Sequence, residues 1–90
     1  MNTLERSVRL SRPQFDYLMS ARFLPQPLLA LLGREAQWES SSAATVAISF
    51  EAAEGMREAF TERLAKAGFD VAYELTPEGR VLEELIDCFQ

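Results

Sequence analysis

Apolar residues recur along this chain at two spacings, and the spacing divides it into elements. Residues 6–10, RSVRL, alternate, with Val8 and Leu10 on one side and Arg9 on the other, which predicts a short strand. Ser11-Arg12-Pro13-Gln14 follows. Ser11 is placed to accept the backbone N–H of residue 14 while the Gln14 side chain reaches back. Pro13 sits where its missing N–H costs nothing, so a helix begins near Arg12. Phe15, Leu18, Met19 and Phe23 share one face of that helix, and Tyr17, Ala21 and Leu24 form a second apolar face. Pro25 ends it by disfavouring helical backbone at Leu24 and by lacking a donor.

The stretch PQPLLALLG, residues 25–33, packs four leucines into what reads as a corner. Pro27 suits the first position of a short second helix, Leu28 to Leu32 its body, and Gly33 a left-handed stop. Residues 34–43 show no period, and Ser40-Ser41-Ser42 reads as a loop. From Ala44 to Phe50 the pattern alternates again, with small or apolar residues on both faces, which predicts a central strand.

Residues 51–67 return to helical spacing. Ala53, Met56, Phe60, Leu64 and Ala67 make one stripe, with Gly68 as a stop. Phe69, Val71, Tyr73 and Leu75 then alternate with Asp70, Ala72 and Glu74, which predicts a half-exposed strand. Thr76-Pro77 repeats the cap-then-proline start, and Val81, Leu82, Leu85, Ile86 and Phe89 stripe a last helix.

The resulting order is β-α-α-β-α-β-α. A strand, a helix and a strand joined by almost no loop make a right-handed βαβ unit if the two strands are parallel. The expectation is one small α/β or α+β domain over residues 1–90, a three-stranded sheet with helices packed on it.

Composition narrows the function classes. A hydrophobic fraction of 48% and a charged fraction of 26% are those of a globular chain. No apolar run approaches the roughly 18–20 residues of a membrane helix, and MNTLERSVRL carries charges where a signal peptide needs an apolar stretch. With Cys88 as the single cysteine, no internal disulfide forms, and the expectation is a cytoplasmic protein. The absence of histidine removes the commonest general base and metal ligand, and the isolated glycines make no phosphate loop. No metal or cofactor is expected.

Charge is unevenly spread within the net −5. Residues 1–45 hold five arginines against four acids; residues 46–90 hold four bases against ten acids. Glu51, Glu54, Glu58 and Glu62 line one helix face, and Glu83, Glu84 and Asp87 another. These faces fit a basic partner, while a solvated helix surface is the commoner reason for such a stripe. The carboxylates lie opposite apolar stripes, in water, and no catalytic residue is assigned among them. Ser40–Ser42 lack a base, since the one lysine, Lys66, sits on the outer part of a helix. Cys88 reads as a small, partly buried hydrophobe.

Two binding surfaces are expected. The first is an apolar patch of Tyr17, Leu24, Leu28, Leu31, Leu32 and Trp38, exposed unless the short second helix folds back over the first and covers it, two alternatives of equal weight. It implies a small acidic, non-enzymatic interaction or regulatory module that binds another protein or a second copy of itself. An immunity- or antitoxin-like inhibitor is one form of it. The second is a basic cluster of Arg6, Arg9 and Arg12 that would hold phosphate or nucleic acid, although the acidic C-terminal half, the small size of the patch and its having only Tyr17 and Trp38 as loosely placed aromatics disfavour it.

Overall fold

The computed structural model describes residues 5–90. It shows an α+β domain with the elements β1 (Glu5–Ser11), α1 (Arg12–Ser20), α2 (Gln26–Glu35), β2 (Ala36–Trp38), β3 (Ala43–Ser49), α3 (Phe50–Ala67) and α4 (Pro77–Cys88). The three strands form an antiparallel sheet in the order β1-β3-β2. Val8 lies opposite Val46, and Gln37 opposite Thr45.

The alternation of β1 and β3 sorts the two faces of the sheet. Val8, Leu10, Ala44, Val46 and Ile48 are buried under the helices, whereas Ser7, Arg9, Ser11, Thr45, Ala47 and Ser49 lie at least partly open on the other side. The helices close the core with Leu18, Leu32, Met56, Phe60, Leu82, Leu85 and Phe89. Phe60 and Phe89 meet edge-on at 5.4 Å, tying α3 to the end of α4.

The expected caps form. Ser11 Oγ accepts from Gln14 N at 3.2 Å and the Gln14 side chain accepts from Ser11 N at 2.9 Å, a complete capping box. Thr76 Oγ1 accepts from Gly79 N at 3.0 Å and donates to the Ala67 carbonyl at 3.0 Å, so one side chain starts α4 and closes α3. The last turn of α4 carries no basic residue of its own. Arg57 supplies one from α3, donating to the Phe89 carbonyl at 2.6 Å, and Arg6 donates from β1 to the carbonyl of Gln90.

Several sequence expectations are corrected. Residues 69–75 are not a strand: only a single bridge joins Phe69 and Leu75. The third strand is β2, inside the stretch without a period, so there is no parallel βαβ unit among the described residues. The reason lies in α3 and α4, which pack antiparallel, Arg57 meeting Phe89 and Arg63 meeting Glu78. The segment between them turns back and cannot cross the sheet. β2 is recruited by the free edge of β3 through the hairpin loop Glu39–Ser42, where Glu39 N donates to the Ala43 carbonyl at 3.0 Å.

Three boundaries also move. α1 stops at Ser20, leaving Ala21, Phe23 and Leu24 outside it. α2 opens at Gln26 and runs through Gly33 to Glu35, with no glycine in the left-handed region. Phe50 is the first residue of α3, with Ser49 as its cap, rather than the end of a strand.

Candidate functional site

The chain between α3 and α4 is the most exposed apolar feature of the described residues, and it is held in place by its own hydrogen bonds. Asp70 Oδ1 accepts from Ala72 N at 2.8 Å and from Glu74 N at 3.0 Å. The Asp70 carbonyl accepts from Tyr73 N at 2.9 Å, and Asp70 N donates to the Glu74 carbonyl at 2.9 Å. One aspartate thereby supplies the turn with both its side-chain and its backbone bonds. At the base, Thr76 N donates to the Gly68 carbonyl at 2.8 Å. A Cβ on Gly79 would lie 2.2 Å from that same carbonyl oxygen, so glycine at 79 is what lets the base close.

Val71 is fully exposed and Tyr73 is 86% exposed at the tip of this loop. Tyr73 is the one non-glycine residue with positive φ among the described residues, at 63°, a conformation a bulky aromatic rarely adopts. In hairpin loops a left-handed residue after a tight turn is usually glycine. Here the backbone is kept in that state while a large side chain is presented to solvent.

A polar cluster joins α1, α3 and α4 near the loop base. Tyr17 Oη donates to Glu78 Oε2 at 2.6 Å, and Arg63 donates to the same carboxylate from Nε at 3.0 Å and Nη2 at 3.4 Å. The Arg63 guanidinium also lies over the Phe23 ring at 5.7 Å. The hydrogen bonds from Arg63 and Tyr17 hold the Glu78 carboxyl below its ordinary range. Burial, then the Glu78 carboxylate, push the Tyr17 phenol up, and Glu78 raises Arg63 further. The three groups border a cleft of about 540 Å³ with Ser20, Arg22 and Phe23. A second cleft, of about 360 Å³, continues past Phe23 and Arg63 to Lys66.

The residues expected to form an apolar patch do not stay together on the surface. Leu24 and Leu32 are core, at 5% and 0% exposure, with α2 packed on β3 and α1. Leu28 and Leu31 are half-buried, and Leu28 reaches toward Gly55 of α3. Tyr17 is half-buried in its bond to Glu78. Trp38 stands partly exposed on β2, edge-on to Phe15 at 5.0 Å and under the Arg12 guanidinium at 5.0 Å. The apolar surplus read from the PQPLLALLG corner is thus mostly absorbed.

The three N-terminal arginines are dispersed. Arg6 turns to the helix side and binds the end of α4; Arg9 lies on the open face against Glu39 at 3.3 Å; Arg12 pairs with Asp16 at 3.3 Å in the first turns of α1. Strand alternation separates Arg6 from Arg9, so they do not converge on one anion. Glu51, Glu54, Glu58, Glu62, Glu83, Glu84 and Asp87 are all exposed. Cys88 is half-buried, and burial pushes its thiol up, as expected for an inert small hydrophobe. Among the described residues no cluster of carboxylates and Cys88 could hold a metal ion. No helix among them is long and apolar enough to cross a membrane.

The chain matches no known family model, and no curated protein and no solved structure shows detectable similarity to it.

Proposed function

We propose that this chain is a non-catalytic protein-binding module whose contact surface is the loop 69–75. The observation that carries the reading is the exposure of Val71 and Tyr73 on a loop closed by the hydrogen bonds of Asp70 and Thr76 and the close approach at Gly79. Tyrosine is enriched among residues that dominate binding energy, and a preorganised loop loses little freedom on docking. The polar cluster supports a structural use of the cleft: Glu78 is held ionised, Arg63 charged and Tyr17 protonated, so none of them is poised to exchange a proton near neutrality. The exposed carboxylates of α3 and α4 add a field that steers association and partner choice.

The test compares lysate captured on the immobilised wild type with that captured on the double variant Val71→Ser/Tyr73→Ser. Both positions are exposed, so the variant keeps its fold, which circular dichroism checks. A protein retained by the wild type and lost by the variant supports the reading. A capture profile identical for both overturns it.

A further inference from the structure

Leu64 of α3 and Ile86 of α4 line a cleft of about 250 Å³ on the seam between the two helices, and both are half-buried. The rest of its lining is Glu83 and Asp87, both exposed. No base lines this cleft, and neither acid takes part in a salt bridge among the described residues. In the two clefts beside Phe23, by contrast, bases and acids balance.

The same side of α3 carries the seam onward. Arg57, Thr61 and Leu64 follow one another at steps of four and three residues, so they share a face. Arg57 and Thr61 line a further cleft, of about 390 Å³, with Glu54, Glu58 and Glu62. Its one base is committed, since Arg57 donates to the Phe89 carbonyl at 2.6 Å. Arg80, exposed one turn before Glu83 on α4, lines neither cleft. From Glu54 to Leu64 the seam runs about 15 Å, or about three turns of helix.

Exposed acids on a helix are by themselves a solvated face. Here they rim half-open apolar side chains with no free counter-charge beside them. A cover for this seam therefore has to bring aliphatic surface to Leu64 and Ile86 and positive charge to the rim. Two antiparallel helices leave a straight furrow between them, and a third helix is the form that lies along it. We propose that the α3–α4 seam is a docking groove for a basic amphipathic helix of a partner protein. Its aliphatic side chains seat on Leu64 and Ile86, and its lysines or arginines face Glu83 and Asp87. The groove shares no residue with the loop 69–75 and goes beyond the reading of that loop.

Fluorescence anisotropy on the full chain tests it with three labelled peptides of about 14 residues. One is a leucine–lysine amphipathic helix, one has glutamate in place of lysine, and one has alanine in place of leucine. At about 150 mM salt the leucine–lysine peptide is expected to bind at least about tenfold more tightly than either of the others. Glu83→Gln/Asp87→Asn is expected to weaken it at least about fivefold. Glu74→Gln/Asp16→Asn removes as much charge elsewhere and is expected to change it less than about twofold. All four positions are exposed, so both variants keep their fold. Amide NMR shifts on binding are expected to centre on Leu64 and on Glu83–Asp87. Absence of binding overturns the proposal, and so does equal binding of the alanine–lysine peptide, which would show charge acting alone. Equal losses in the two double variants, or shifts centred on the loop 69–75 or around Phe23, overturn it as well.

Discussion

Tyr17 on α1 and Glu78 on α4, 61 residues apart, share a 2.6 Å hydrogen bond, and Arg63 on α3 closes on the same carboxylate. One acid therefore ties together three helices. Tyr17→Phe removes a single bond while keeping the ring, and the expected cost is about 1 kcal/mol in urea unfolding. The pH dependence has a definite sign. The Glu78 carboxyl is lowered in the folded protein, so its contribution is fully present above the ordinary value of 4.5 and is lost as pH falls through the lowered one. The Tyr17 phenol is raised, so its contribution is complete below pH 10.0 and fades as pH climbs through the folded value. The urea midpoint of the wild type should therefore drop more steeply between about pH 5 and about pH 3 than that of Glu78→Gln. Equal slopes would show that the cluster contributes nothing to acid stability.

Leu28 and Leu32 occupy the same helix and have different fates. Leu32 is fully buried against the sheet-side core, whereas Leu28 is half-buried beside Gly55. Leu32→Ala should cost about 2–5 kcal/mol, and Leu28→Ala clearly less, because a partly exposed site loses less transfer energy and leaves no sealed cavity. Leu32→Asp should unfold the domain outright. Equal losses at the two alanine variants would contradict the burial seen for α2.

These contrasts show what the sequence carried. Caps and long stripes were legible, because Ser11-Arg12-Pro13-Gln14 and Thr76-Pro77 form local bonds and α3 and α4 are periodic over many residues. β2 was not, because Ala36-Gln37-Trp38 is too short to show a period and is a strand only by virtue of the β3 edge. The alternation of Phe69, Val71, Tyr73 and Leu75 misled, since Asp70 captures the neighbouring N–H groups before a strand can use them. An Asp opening a short segment between two helices was the available signal. The Tyr17–Arg63–Glu78 cluster left no local trace, its members being brought together only by packing.

Gly79 sits in the first turn of α4 with its α-carbon against the Gly68 carbonyl. An added Cβ would come within 2.2 Å of that oxygen and 2.9 Å of Leu75 Cδ2. Backbone cannot yield as a flexible side chain does, so Gly79→Ala should destabilise by about 1–3 kcal/mol despite alanine's better helix propensity. Gly33→Ala is the control. There the new methyl meets only Met19 Cε, at an ordinary 3.7 Å, in the last turn of α2 and without left-handed backbone, so a gain of up to about 1 kcal/mol is expected. Thermal or urea unfolding of the two variants should move in opposite directions.

Tyr73 separates stability from binding. Its left-handed φ of 63° carries a steric cost that glycine does not, while its exposed side chain contributes little to the fold. Tyr73→Gly should therefore leave the domain as stable as the wild type or more so, by up to about 1 kcal/mol, the greater freedom of glycine in the unfolded chain offsetting part of the relief. The same substitution removes the aromatic side chain that the loop presents, and should abolish loop-dependent association. A residue that weakens the fold slightly and is needed for docking gives this pair of opposite responses; a residue serving only the turn would lose stability and leave association unchanged.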